Sequence, residues 1–210
     1  MKQSKCFAIG DIHGHCKALS ALLAILKHEA GMTDQDLLVF LGDYVDRGPD
    51  DEGVLAIVKN LENNRPNTVA LLGNHDSWRT SGTIDPAYAL WLRGLPKYFR
   101  WKSYFFSHAP VYCLPNAEAL DRLPRELWGG IRSFDDAVRF NYDFLNSYAG
   151  FAAKDLLRES GVTGVCGHVH HDRVVIYPDH YIGVDSGCGF GGELSAVELP
   201  SLKIWDVESV

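Results

Sequence analysis

Short apolar segments that end in a polar, glycine-containing turn recur along this chain, and they constrain its fold more than any other feature. The segment from Leu37 to Leu41 is the clearest example, because an uninterrupted apolar run of this length is typical of a buried strand. A glycine ends the run, and Asp43, Asp46 and Arg47 follow it. A protein core would not accept these charges unpaired, whereas the carboxyl edge of a sheet often carries a binding site. The pattern therefore predicts a strand that delivers charged side chains to a functional site.

Strands and helices alternate in the first third of the chain. Strands are predicted at residues 6–9, 37–41 and 68–72, where apolar runs are bounded by polar turns. Between them, apolar residues at helical spacing predict helices over about 16–29 and from about residue 51 onward. This alternation predicts a largely parallel central sheet with helices on its faces.

The remaining chain is less regular. A short helix is predicted over 86–92 and a longer one over 134–160, with a surface loop region at 111–133 between them. Strands are predicted at 103–106 and 162–166. Four further segments look like an antiparallel second layer: 174–177, 181–184, 194–199 and 202–207. Because no linker or repeat interrupts the pattern, we expect one domain spanning residues 1–210.

Composition excludes several classes of protein. The 5 cysteines are scattered and form no Cys-x-x-Cys pair, which argues against a disulfide framework or a zinc–thiolate knuckle and favours a reducing cytoplasm. The net charge of −7 argues against a nucleic-acid backbone as the main partner. No apolar run is long enough to span a bilayer, so no membrane partner is expected.

The polar residues that follow the predicted strands share one chemistry, since all offer oxygen or nitrogen ligands and none is a thiolate. They are Asp11, His13, Asp43, Asn74, His75, His108, His168 and His170. The carboxyl ends of parallel strands lie along one edge of a sheet, so these groups can converge. Such ligands suit Mn²⁺, Fe or Zn²⁺, and they are too many for one ion. Two ions that share a bridging carboxylate fit the count, and Asp43 is the best candidate for the bridge.

The ordered motifs resemble those of the calcineurin-like metallophosphoesterases. More narrowly, they are similar to the phosphoprotein-phosphatase branch, which includes the phage lambda-type protein phosphatases and the bacterial diadenosine tetraphosphatases. The resemblance is carried by Gly10-Asp11-Ile12-His13-Gly14, Gly42-Asp43-Tyr44-Val45-Asp46-Arg47-Gly48, Gly73-Asn74-His75-Asp76, His108, Gly167-His168 and the segment from Val184 to Leu194. It implies an α/β fold, a metallophosphatase-like β-sandwich of mixed sheets flanked by helices.

The resemblance also implies roles for individual residues. Metal one would take Asp11, His13 and Asp43, and metal two would take Asp43, Asn74, His108 and His168. A hydroxide between the metals would attack phosphorus, because two cations lower the pKa of bound water. Arg47 would clamp the phosphate, together with Asn74, and His75 would protonate the leaving oxygen while Asp46 orients its ring. Asp185 would support the site from behind the ligands.

Three departures from the branch leave the substrate open. Asn74-His75-Asp76 carries an aspartate where the branch usually has glutamate. Gly167-His168-Val169-His170 carries an additional histidine, so His170 is a candidate fourth ligand of metal one. The branch often supplies a second phosphate-binding arginine from the middle of the chain, and here Arg132 is the candidate for that role.

The predicted function is a cytoplasmic dinuclear-metal phosphatase that hydrolyses phosphomonoesters. The short chain favours a serine/threonine protein phosphatase-like activity, with phosphotyrosine as a further substrate and Mn²⁺ as the first candidate metal. Two alternatives stay open. One is a symmetrical diadenosine tetraphosphate hydrolase, and the other is a non-catalytic metal- or phosphate-binding module.

Overall fold

The structure is a computed structural model that describes residues 4–79, 84–110, 161–177 and 181–209. The loop predicted at 111–133, the helix predicted over 134–160 and the candidate Arg132 lie outside these residues. The described part consists of two five-stranded sheets and the helices that pack on one of them.

The first sheet has three parallel strands at one side and two antiparallel strands at the other. Its order is β10-β9-β1-β2-β3, and β1, β2 and β3 run parallel while β9 and β10 run antiparallel to their neighbours. The strands are β1 (Cys6–Ile9), β2 (Leu37–Phe40), β3 (Thr68–Ala70), β9 (Glu193–Leu199) and β10 (Lys203–Glu208).

The second sheet is also mixed, in the order β4-β5-β6-β8-β7. Its three inner strands are parallel to one another, and β4 and β7 are antiparallel edges. The strands are β4 (Tyr98–Trp101), β5 (Tyr104–Ser107), β6 (Thr163–Cys166), β7 (Val175–Tyr177) and β8 (Tyr181–Gly183).

Helices cover one face of the first sheet. They are α1 (Cys16–His28), α2 (Asp51–Asn64), α3 (Asn74–Arg79) and α4 (Pro86–Arg93). Leu19, Leu22 and Leu26 recur at helical spacing in α1, and all three are fully buried against the sheet. The side chain of Asp50 caps α2 by accepting a hydrogen bond from the N–H of Gly53 at 2.9 Å.

The second sheet covers the opposite face of the first. Side chains alternate along β1, so Phe7 and Ile9 face the helices while Ala8 packs in the layer between the sheets. Phe106 and Val165 of the second sheet meet Ala8 in that layer. Because both faces of β1 are buried, the strand reads as a continuous apolar run.

The structure confirms the predicted fold class, a single-domain α/β sandwich of mixed sheets flanked by helices. The prediction of an antiparallel second layer at the end of the chain is wrong. Strands β9 and β10 pair beside β1 in the first sheet, and β8 pairs parallel with β6. Alternation of side chains indicates a strand but does not specify its partner, so the pattern could not divide these strands between the sheets. Strand β4 was also missed.

Candidate dinuclear metal site

The predicted ligands meet where strands of both sheets end on the same edge of the sandwich. Strands β1, β2 and β3 deliver Asp11, Asp43 and Asn74, and β5 and β6 deliver His108 and His168. Glycines make this approach possible. A side chain at Gly73 would collide with Asp43, and one at Gly167 would collide with Asp11.

Asp43 lies at the centre of the site. It is buried, its backbone is left-handed with φ 54°, and its Oδ1 accepts a hydrogen bond from the N–H of His75 at 2.9 Å. Its Oδ2 lies 3.6 Å from Nε2 of His13 and 3.5 Å from Nε2 of His108. One oxygen of this carboxylate therefore lies between His13 and His108, which belong to the two different sets of predicted ligands. This is the position that a bridging ligand needs.

The first ligand group contains Asp11, His13 and Asp43. Nδ1 of His13 lies 3.0 Å from the carbonyl oxygen of Val45, and since a carbonyl can only accept, this nitrogen is the donor. The lone pair on Nε2 then points toward the carboxylates, 4.0 Å from Oδ2 of Asp11. Burial lowers the pKa of His13 to about 3, so the ring is neutral and available as a ligand.

The second group contains Asp43, Asn74, His108 and His168. Nδ1 of His108 donates to the carbonyl of Leu41 at 2.9 Å, which leaves a lone pair on Nε2. That nitrogen is 2.9 Å from Oδ1 of Asn74, and Nδ1 of His168 is 2.9 Å from the same oxygen. Burial lowers the pKa of His108 to about 3 and that of His168 to about 4, so both rings are neutral.

These contacts fit a bound cation. An amide oxygen, an ionised carboxylate oxygen and an imidazole lone pair all accept hydrogen bonds, so without a cation these groups can pair only by holding protons between them. Burial, reinforced by Asp185 and Asp43, raises the pKa of Asp11 well above its usual value. Burial likewise raises the pKa of Asp43 to about 7. Cations between these groups would satisfy the acceptors and stabilise both carboxylates in their ionised form.

Three further predicted residues form a chain beside the two groups. Nδ1 of His75 is 2.8 Å from Oδ2 of Asp46, and Nη2 of Arg47 is 3.1 Å from Nε2 of His75. An arginine only donates, so Nε2 carries the lone pair and Nδ1 carries a proton that it donates to Asp46. Two clusters of potential ligand atoms share Asp43, and one of them includes His75; both nitrogens of this ring already have the partners just described.

One buried group of the site was not assigned a role from the sequence. Asp76 is fully buried and accepts three backbone hydrogen bonds, from the N–H groups of Asp43, Tyr44 and Gly73, at 2.8 to 2.9 Å. It therefore ties the turn after β2 to the turn after β3. The Asn-His-Asp motif marked the residue, but only the folded chain shows which groups it binds.

The structure places the two remaining candidates differently. His170 is exposed, and its ring stacks on that of Phe190 with centroids 4.8 Å apart. Neither of the two ligand clusters in the described residues includes His170, and its metal-binding role stays a prediction. Arg132 lies outside the described residues. Asp185 is buried, and its Oδ1 accepts the N–H of Gly187 at 2.9 Å.

A two-sheet sandwich with candidate carboxylate, amide and imidazole ligands gathered at one edge is the arrangement expected of a metal-dependent phosphoesterase. The family model for calcineurin-like phosphoesterases matches residues 5–194, and the chain belongs to this family. The resemblance noted from the motifs is thereby confirmed.

Similar proteins fall into more than one substrate class. Serine/threonine-protein phosphatase 1 of Salmonella typhimurium is 35% identical over 86 residues, which are 41% of this chain and 36% of that protein. A symmetrical bis(5′-nucleosyl)-tetraphosphatase of Janthinobacterium sp. is 27% identical, with 92% of each chain covered. The match to the first of these relatives thus spans about a third of that relative's length.

Solved structures also resemble the chain. A crystal structure proposed to be that of a diadenosine tetraphosphatase is 26% identical, has a TM-score of 0.69, and is matched over 99% of this chain and 94% of its own. A cold-active protein-tyrosine phosphatase from Shewanella, 20% identical, matches with a TM-score of 0.65 over 98% of this chain and 78% of its own, which shows the shared fold.

Proposed function

We propose that the chain is a two-metal phosphomonoesterase that acts on phosphorylated serine and threonine side chains of proteins, and also on phosphotyrosine. The observation that carries this proposal is the chain Asp46–His75–Arg47 beside the shared carboxylate of Asp43. It places a planar donor group and an ionisable imidazole next to the ligand groups. Arg47 is exposed, so a phosphoryl group on a large substrate can reach it.

The ligand assignment follows the geometry of the two groups. Asp11, His13 and Asp43 would hold one divalent cation, with His170 as a further candidate ligand, and Asp43, Asn74, His108 and His168 would hold the other. When bound, the two cations supply a water-derived nucleophile at neutral pH and offset charge on the phosphoryl oxygens. Mn²⁺ is the proposed metal, with Fe and Zn²⁺ as alternatives that the same ligands accept.

Residues of the chain itself bind the phosphate and handle the proton. The guanidinium of Arg47 presents parallel N–H donors that match two phosphoryl oxygens, and the amide of Asn74 lies beside the same space. Once Arg47 turns to the phosphate, Nε2 of His75 is free to take up a proton and give it to the leaving oxygen. The carboxylate of Asp46 accepts the proton of Nδ1, and so fixes the tautomer and the orientation of the ring.

A second candidate is the symmetrical hydrolysis of diadenosine tetraphosphate. It is favoured by the relative from Janthinobacterium, which is named for that activity and aligns over 92% of its own length. A metal-activated hydroxide would again attack phosphorus, but it would break a phosphoric anhydride and release a nucleotide, whereas a phosphomonoester releases an alcohol or a phenol.

The deciding experiment compares substrates and metals side by side. The protein is stripped of metal, reloaded with Mn²⁺, Fe²⁺, Zn²⁺ or Mg²⁺, and assayed on phosphopeptides, p-nitrophenyl phosphate and diadenosine tetraphosphate. We expect turnover of the phosphopeptides with the highest kcat/KM, and with Mn²⁺ as the best metal. A higher kcat/KM on diadenosine tetraphosphate would overturn the substrate assignment. No turnover with any metal would favour the non-catalytic binding module.

His75→Asn tests the assignment of the general acid. The variant cannot protonate a leaving group, so we expect kcat on a phosphoserine peptide to fall by about 10²–10⁴-fold. The loss on p-nitrophenyl phosphate should be much smaller, because p-nitrophenolate leaves without a proton. Metal content, measured by elemental analysis, should match that of the parent. Equal losses on both substrates would show that His75 is not the acid.

We also propose a cellular location for the protein and the extent of its domain. The structure describes four cysteines, and all four are free thiols, which supports the proposed cytoplasmic location. No helix of the described part is long and apolar enough to cross a membrane. The proposed domain comprises residues 1–210.

A further inference from the structure

Phe190 is an exposed aromatic residue that contacts the phosphate-binding side of the site. Its side chain is 62% exposed, among the highest values for large apolar residues in the described part of the chain. The guanidinium carbon of Arg47 lies 4.1 Å from the centroid of the Phe190 ring, well within the range of a cation–π contact. His170 also stacks on this ring.

The turn that carries Phe190 is built to hold it at this place. Residues Cys188–Phe190 form one 3₁₀ turn, and Gly187 and Gly191 on either side have φ of 83° and 84°. Such backbone angles favour glycine, so the sequence specifies the shape of the turn. Cys188 is fully buried and anchors the turn, with its thiol 3.4 Å from the carbonyl oxygen of Ile12.

The turn passes directly over the ligand His13 and the side chain of Arg47. A Cβ atom at Gly189 would lie 2.5 Å from Cδ2 of His13 and 3.0 Å from Cδ of Arg47. The absence of a side chain at this position lets the turn come close enough for Phe190 to reach the guanidinium.

We propose that Phe190 is a positioning residue for Arg47, and that it sets the affinity of the site for the phosphate group. Arg47 is long and exposed, and an unsupported arginine loses rotamer freedom when it binds a ligand. The ring of Phe190 keeps the guanidinium beside the candidate ligand groups, so Arg47 has only to turn from His75 to the phosphoryl oxygens and less freedom is lost on binding. The inference rests on the proposed phosphatase function, in which Arg47 binds phosphate.

His170 has a place in this arrangement. Its imidazole stacks on Phe190, and the interplanar angle is 25°. The stack supports the ring that supports Arg47. This contact gives the second histidine of Gly167-His168-Val169-His170 a role that requires no metal.

Substitutions at Phe190 test the proposal through phosphate affinity. In the Mn²⁺-loaded enzyme, Phe190→Ala and Phe190→Leu should each raise KM for p-nitrophenyl phosphate and the inhibition constant of inorganic phosphate by about two- to fivefold, the effect of one exposed cation–π contact. The kcat should change less than KM. Phe190→Trp, which keeps an aromatic face, should behave like the parent. Leu90→Ala, at a 73% exposed residue on α4, is the matched control for loss of an exposed apolar side chain.

Leucine separates the aromatic contact from simple packing. It retains apolar volume and lacks a π face, so parent-like constants for Phe190→Leu would overturn the proposal. A lowered kcat with unchanged KM in Phe190→Ala would also overturn it, since that result would place the ring in the chemical step.

A double-mutant cycle shows whether the ring acts through Arg47. Arg47→Ala should weaken phosphate inhibition, and adding Phe190→Ala to it should cause no further change. Additive losses would mean that Phe190 acts independently of Arg47. If Arg47→Ala itself leaves phosphate inhibition unchanged, the proposed role of Arg47 fails, and this outcome is distinct from failure of the stack.

A second readout needs neither metal nor turnover. In the metal-free protein, the Hε and Nε resonances of Arg47 should show a ring-current shift that Phe190→Leu removes and Phe190→Trp retains. Identical Arg47 resonances in the parent and in Phe190→Leu would contradict the contact.

Discussion

Strained backbone conformations are concentrated at the candidate metal site. Seven non-glycine residues in the described part have positive φ, and five of them are site residues: His13, Asp43, Asp46, Arg47 and His168. Left-handed backbone is uncommon for residues with a Cβ, and it persists where surrounding contacts determine it. The sequence identified these five residues through their motifs, but it gave no sign of their conformation, which depends on contacts between distant turns.

Asp76 is the group whose removal should disturb these turns most. Asp76→Asn replaces one acceptor oxygen by an NH₂ group that faces backbone N–H donors of the turns after β2 and β3. At least one buried donor then loses its partner, so we expect the free energy of unfolding to fall by about 1–3 kcal/mol. Mn²⁺ affinity should fall as well, because the N–H of Asp43 is one of these donors.

Urea unfolding of the metal-free protein measures the first effect, and calorimetric Mn²⁺ titration measures the second. Asp206→Asn, at an exposed position of β10, is the control and should change neither. Unchanged stability in Asp76→Asn would show that the three hydrogen bonds do not hold the turns together. Sequence analysis could not have found this role, because two of the three donors, Asp43 and Tyr44, belong to the turn after β2, which meets Asp76 only in the fold.

At the scale of elements, the two ends of the parallel strands have different roles. The carboxyl ends carry the candidate ligands, and the amino ends are held by Arg65, a 7% exposed residue at the end of α2. Its guanidinium donates to the carbonyls of Thr33 and Asn67 at 2.7 Å and also to that of Asp36. It thereby joins the end of α2 to the segments that precede β2 and β3.

Arg65→Met should separate stability from function. Methionine fills much of the space but donates nothing, so buried carbonyls lose their partners and we expect a loss of about 3 kcal/mol in the free energy of unfolding. Since the residue lies at the strand ends opposite the ligands, kcat at a temperature where the variant is folded should stay within about twofold of the parent. Arg65→Lys, which keeps the charge without the fork of donors, should be intermediate in stability. A large fall in kcat in the folded Arg65→Met variant would contradict this separation of the two ends.

Elements were predictable where local pattern and burial agree. The predicted strands at 6–9, 37–41 and 162–166 lie within one residue of β1, β2 and β6. Strand β4 could not be predicted from the sequence, because its residues alternate between exposed and half-buried positions and include Arg100. No apolar run therefore marks the strand. The pairing of β9 with β1 spans most of the chain, and no local pattern encodes such a contact.

At the scale of the whole molecule, the candidate ligands connect the two sheets. Asp11, Asp43 and Asn74 follow strands of the first sheet, whereas His108 and His168 follow strands of the second. Metal binding would therefore join the turns of both sheets as well as create a reaction centre. A ligand that binds only the folded state stabilises it by about 2.7 kcal/mol at a hundred times its Kd. Removing the metals with a chelator should lower Tm, and Mn²⁺ should restore it.

Asp43→Asn should affect the metal-free and metal-loaded states in opposite directions. Burial raises the pKa of Asp43 to about 7, so in the metal-free protein its folded state binds a proton more tightly than the unfolded chain does. Stability contributed by this group is therefore lost as pH rises through about 7. An asparagine carries no charge, and we expect metal-free Asp43→Asn to be more stable than the metal-free parent at pH 8, with the difference shrinking toward pH 6.

The same variant loses the shared anionic oxygen, so the rise in Tm on adding Mn²⁺ should be abolished or strongly reduced. Thermal denaturation of both proteins, with and without Mn²⁺ at pH 6 and pH 8, measures all of these effects in one series. Asp206→Asn again serves as the control, because it lies on β10 and is exposed. If Mn²⁺ raised the Tm of Asp43→Asn as much as that of the parent, the carboxylate of Asp43 would not be the bridge, and the two ligand groups would have to bind their ions independently.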